Sequence, residues 1–137
     1  MEMQVPLEPA PPMDVVVLCA DEGARETLAY WLKSSGVATA VAGSGYQARN
    51  ILRGGLSRLL ITDRILPPWP GLDTVVNLKQ TLVGLTVAFL DDGVPDNRTL
   101  ARSAGADIIL PRPLRRAHVM EAFVSSDPNA RGLACAS

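Results

Sequence analysis

Five short runs of aliphatic and β-branched residues set the strongest limit on what this chain can fold into. They are Val15 to Leu18, Val37 to Ala42, Arg58 to Thr62, Thr86 to Leu90 and Asp107 to Leu110, and a segment of helical period follows each. A strand that is apolar on successive residues has no face to offer water, so both of its faces must be covered. Runs of this kind alternating with helices predict a parallel sheet with helices on both sides. Right-handed crossovers then bring the C-terminal ends of all five strands to one edge of the sheet. Sites in open α/β sheets form at that edge, near the switch in strand order.

The connecting segments carry helix signals. Ala24, Leu28, Trp31 and Leu32 share one side of a helix expected over 24–35, with Asp21 or Glu22 as its cap and Gly36 as its stop. Ser44-Gly-Tyr-Gln47 has capping-box spacing and opens a helix that ends at Gly54-Gly55. The turn Pro67-Pro68-Trp69-Pro70-Gly71 leads to a helix of about 72–82. Asp91-Asp92-Gly93 starts a loop, Asp96 is placed to cap a helix through Ala104, and Gly105 closes it. A last helix is expected over 115–123. Trp31 should pack the first helix, whereas Trp69 is free to serve as a partner contact.

With 137 residues the chain has room for one ordinary domain. The expected divisions are a Pro-rich tail over 1–12, a domain over 13–124 and a flexible tail over 125–137. Thirteen Lys and Arg balance fourteen Asp and Glu, and no stripe of basic residues exists to hold nucleic acid. Cys19 and Cys135 make neither a disulfide framework nor a zinc set. Without a signal-peptide pattern or an apolar run of about 20 residues, a cytoplasmic location away from membranes is expected. His118, the single histidine, is assigned no role.

Ile61-Thr62-Asp63, then Pro67 and Gly71, then Ala104-Gly105-Ala106-Asp107 and Arg112-Pro113, occur in an order and spacing that resembles the receiver domain of bacterial two-component response regulators, from Asp14 to Phe123. The resemblance implies a flavodoxin-like (βα)5 fold with strand order 2-1-3-4-5. It implies that Asp63 is the phospho-acceptor and that Arg112-Pro113 is a cis peptide. In such domains an acidic pair after strand one holds Mg²⁺, a Ser or Thr after strand four and a Lys after strand five meet the phosphoryl group, and an aromatic residue on strand five is the switch.

This sequence departs at each of those places. Counting back from Gly36 without a gap puts Cys19 and Ala20 at the acidic-pair positions. Asp91 stands for the hydroxyl, Arg112 for the Lys and Ile109 for the aromatic switch. An aspartyl phosphate adds about two negative charges, and with Asp91 beside it and fewer metal ligands left, phosphorylation and Mg²⁺ binding are expected to be weak. Two arrangements are open: Asp21, Asp63, Asp91 and the Ile65 backbone hold a cation, or Arg112 pairs with Asp63 or Asp91 without one.

The function implied is signal relay by protein contact, with no enzymatic activity beyond self-phosphorylation and self-dephosphorylation. A sensor histidine kinase or phosphotransfer protein would dock over Asp63. A downstream protein target, or a second copy, would meet the face of the 96–104 helix, strand five and the last helix, or the terminal arms. The alternative is a pseudo-receiver adaptor that works without phosphorylation. A third reading comes from Gly43-Ser-Gly45-Tyr-Gln-Ala48, which satisfies G-x-G-x-x-A, with Asp63 at nearly the distance of a ribose-binding acid. That would make a nucleotide-binding module.

Overall fold

All four residues of Val15–Leu18 and all four of Leu59–Thr62 are buried, as strands without a polar face require. In the computed structural model, which describes residues 13–63 and 78–127, these are β1 and β3 of a parallel sheet. The other strands are β2 (Thr39–Val41), β4 (Thr86–Leu90) and β5 (Ile108–Leu110). The order is β2-β1-β3-β4-β5, with every neighbouring pair parallel. The helices are α1 (Glu22–Ser34), α2 (Gly45–Leu52), α3 (Pro95–Ala104) and α4 (Arg116–Ser125). A helical stretch over 78–81 leads into β4.

Alternate strand residues feed two separate cores. Val15, Val17, Leu59, Ile61, Ala88 and Leu110 pack with Leu28 and Leu32 of α1 and with Val119 and Ala122 of α4. Val16, Leu18, Leu60, Val87 and Phe89 pack on the other face, with Ala48 and Leu52 of α2, Leu78, and Ala101 and Ala104 of α3. Each fully buried Leu, Ile or Phe contributes about 1.5–3 kcal/mol. Both strand faces are thus consumed, and the strand ends are what remains for function.

The caps mostly follow the sequence. Asp21 is the N-cap of α1, its carboxylate accepting from the Ala24 N–H at 2.9 Å. Ser44 Oγ accepts from the Gln47 N–H, whereas Gln47 Oε1 accepts from the Gly43 N–H, one residue before the N-cap, so the expected capping box forms in a shifted version. Gly105 ends α3 at φ 115°, a left-handed conformation that only glycine adopts freely. Asp96 is not the cap of α3. Val94 holds that position without a side-chain bond, because Pro95, with no N–H and a preset φ, takes the first helical place and leaves Asp96 inside the first turn.

Residues 125–127, expected in the C-terminal tail, belong to the fold instead. Ser125 belongs to α4, Ser126 is fully buried, and Asp127 stands 3.8 Å from Arg58. The Arg58 guanidinium in turn lies 3.8 Å over the Phe123 ring, so α4 is anchored at its end. Ile65, Pro67, Trp69, Gly71, Cys135, both tails proper and most of the 72–82 helix lie outside the described residues. Among the described residues no helix is long and apolar enough to cross a membrane.

Candidate functional site at the C-terminal edge of the sheet

Leu18 of β1 and Thr62 of β3 are register partners, so the chain leaving β1 passes beside Asp63. The half-buried Asp63 carboxylate is met there by backbone rather than by other acids. Its Oδ1 and Oδ2 accept from the Ala20 N–H at 2.9 and 3.1 Å, and Oδ2 accepts from the Asp21 N–H at 2.9 Å. These amides stand directly before α1, whose N-terminal dipole favours a negative charge. Charge-assisted bonds of this kind are stronger than neutral ones. Ala20, at an acidic-pair position, thus contributes through its backbone and not its side chain.

Cys19, the other residue at those positions, is buried and inert. Its Sγ lies 3.9 Å from the Ile61 carbonyl. Burial pushes its thiol up to about 12, and the nearby Asp63 charge adds to the rise. Its carbonyl accepts from Arg25 Nη1 at 3.3 Å.

Asp91 leaves the end of β4 and donates its N–H to the Leu110 carbonyl at 2.9 Å. Its carboxylate accepts from the Gly93 N–H at 2.9 Å and from Arg98 Nη1 at 2.8 Å. These bonds, the Gly93 amide foremost, hold the carboxyl below its usual range, assisted by the charges of Arg98 and Arg112. Arg112 itself donates from Nε to the Asp91 carbonyl oxygen at 2.6 Å. The Arg112-Pro113 peptide is cis.

The expected pairing of Arg112 with a carboxylate is therefore corrected. Arg112 meets the Asp91 carbonyl, while the Asp91 carboxylate is held by the Gly93 amide and by Arg98 on the first turn of α3. Ile109 is also absent from this site: it points to the opposite core and packs with the residues around Phe89. Arg98 was not singled out from sequence, although its place three residues after a proline at the first helical position was a usable signal.

Asp21, Asp63, Asp91 and Arg112 do line one cavity of about 470 Å³. Its apolar lining comes from Leu90, Leu110, Leu114 and the two prolines flanking Arg112. Among the described residues no group of three His, Cys, Asp or Glu is disposed to hold an ion; Ile65, the backbone member of the expected cation set, lies outside them. Asp21 caps α1, Asp63 is engaged by two amides, and Asp91 is engaged by an amide and a guanidinium.

The nucleotide-binding reading is not supported by the geometry. The Gly43 N–H and the Ser44 hydroxyl, which would face a phosphate, are both engaged by Gln47. Moreover β2 is an edge strand, separated from β3 and Asp63 by β1, so the acid does not sit on the neighbouring strand.

No protein-family model matches the chain, and no curated protein matches it. Solved structures do. A response regulator receiver domain protein from Clostridium thermocellum superposes with a TM-score of 0.74 at 21% identity, covering 88% of this chain and 98% of that one. The receiver domain of NtrX from Brucella abortus gives 0.72 at 20% identity, covering 82% and 97%. A response regulator receiver protein from Pseudomonas putida gives 0.69 at 24% identity, covering 86% and 99%. The fold of this chain is that of receiver domains.

Proposed function

We propose that this receiver-fold chain is an adaptor that signals by protein contact in one charge state, without phosphorylation of Asp63. The observation that carries this reading is the clasp on Asp63, whose two carboxylate oxygens both accept hydrogen bonds from the Ala20 and Asp21 amides. A phospho-acceptor needs an oxygen free for in-line attack and a cation to offset the arriving charge. Here the amides engage the nucleophile, and they stand where the resemblance would put metal-binding side chains. On the far side, Arg98 is spent on Asp91, and Arg112 is tied to a carbonyl.

In this reading the partners are other two-component proteins, a histidine kinase or phosphotransfer protein on one side and a target protein or second copy on the other. A second reading, transfer of a phosphoryl group to Asp63, is favoured by one observation: Asp63 is only half buried and lines the open cavity. One experiment separates the two. The whole chain is incubated with a small phosphodonor and Mg²⁺ and weighed intact beside an Asp63→Asn variant. The adaptor reading expects no gain in mass. Addition of one phosphoryl group to the wild type and none to the variant would replace it with the second reading.

A further inference from the structure

The clasp on Asp63 is made of two consecutive peptide units, and Arg25 holds one of them from behind. The Cys19–Ala20 peptide donates its N–H to Asp63 Oδ1 and Oδ2 at 2.9 and 3.1 Å, while its carbonyl, on Cys19, accepts from Arg25 Nη1 at 3.3 Å. We propose that Arg25 is the built-in cation of this site, a positioning residue that acts on Asp63 through the Cys19–Ala20 peptide and keeps the clasp shut. The proposal deepens the adaptor reading and rests on it for its meaning in signalling, because a site that carries its own cation is set in one charge state.

A trans peptide is planar, with its C=O and N–H pointing in opposite directions. A guanidinium at the oxygen and a carboxylate at the hydrogen therefore face each other across one peptide, both aligned with its dipole. The positive charge draws electron density toward the carbonyl oxygen and makes the N–H a better donor, as bonds in a chain polarise one another. The place of Arg25 fits this use. It stands early in α1, near the positive end of the helix dipole, whereas a basic residue gains more at the other end, where Lys33 lies. A carboxylate close by offsets that disadvantage. Cys19 lies between the two charges: burial sets the rise of its thiol, the Asp63 charge adds to it, and the Arg25 charge opposes it. The Asp21 N–H, the other arm of the clasp, belongs to the next peptide, which Arg25 does not bond.

The test is ¹⁵N-resolved NMR of the full chain as wild type, as Arg25→Met, which keeps the apolar stem and removes the charge, and as Arg25→Lys, which keeps the charge. In Arg25→Met the Ala20 amide proton should move upfield and exchange with solvent about threefold faster, while the Asp21 amide moves less than about half as far. Arg25→Lys should restore about half of the Ala20 shift, since an ammonium keeps the charge without the planar fork. A merely structural Arg25 would loosen the whole loop on removal, so equal movement of the two amides would overturn the proposal. An Ala20 amide unmoved in Arg25→Met, or no recovery with Lys, would do the same. If circular dichroism finds Arg25→Met unfolded, Arg25→Gln replaces it with the same expected asymmetry. A phosphoryl group added to Asp63 in the mass experiment would overturn the adaptor reading and leave this coupling standing, so the two failures are distinguishable.

Discussion

Replacing Asp63 should destabilise this protein, and the sign of that effect is diagnostic. In a site where the acceptor carboxylate is crowded by other acids, neutralising it relieves repulsion and stabilises the fold. Here the nearest groups are two backbone amides, each at 2.9 Å. A hydrogen bond to a charged group contributes about 1.5–3 kcal/mol when sheltered. These amides are exposed, and water can take over part of the role, so about 1 kcal/mol each is a fair figure. Asp63→Ala should therefore cost about 2 kcal/mol, and Asp63→Asn, which keeps one acceptor oxygen, about 1 kcal/mol. Urea unfolding followed by circular dichroism reads this directly. With a slope of about 2 kcal/mol/M, the Asp63→Ala midpoint falls by about 1 M. An unchanged or raised midpoint for both variants, at constant slope, would refute the claim that amides hold the carboxylate.

Other consequences can be checked one by one. NMR titration of Asp91 should give a midpoint below 3.8; in Arg98→Gln it should rise yet stay depressed, because the Gly93 amide is the leading cause. Since that folded-state value lies below the unfolded one, Asp91 contributes stability above pH 3.8 that is lost as pH falls through the folded midpoint. Cys19, at about 12, should be alkylated at pH 8 roughly a thousandfold more slowly than an ordinary thiol, as mass spectrometry of a Cys135→Ser variant would register. Gly105→Ala should cost about 1–3 kcal/mol, because a Cβ there takes a strained φ and meets Lys79 Cδ at 2.8 Å. It would also disturb the bonds of Lys79 to Gly105 and Asp107, and thermal melting measures the loss.

The fold was legible because its determinants are local and repeated. Unbroken apolar runs such as Val15 to Leu18 admit only a two-faced sheet, and Asp21, Gln47 and Gly105 mark helix ends by side-chain or backbone chemistry that acts within a few residues. The location of the site was legible for the same reason, since a parallel sheet gathers its strand ends. Its internal wiring was not. Asp63 is held by the backbone of Ala20, a residue whose side chain carries no signal for that role. Arg98 and Arg112 both meet Asp91, one at the carboxylate and the other at the carbonyl, and nothing in the order of residues tells which does which. The end of α4 was placed too early because Ser125 and Ser126 look like tail residues. Ser126 is nevertheless fully buried, and Asp127 after it stands against Arg58, which lies far away in sequence.

In the proposed adaptor the Ala20 and Asp21 amides remain the partners of Asp63 when Mg²⁺ or a phosphodonor is present. A ¹⁵N-resolved NMR spectrum of the full chain, recorded while Mg²⁺ and then a phosphodonor are added, reports on those two amides directly. They should keep their hydrogen-bonded positions throughout and move only in the Asp63→Ala variant. A saturating shift of both amides in the wild type on adding Mg²⁺, or a new set of peaks with the phosphodonor, would contradict the account.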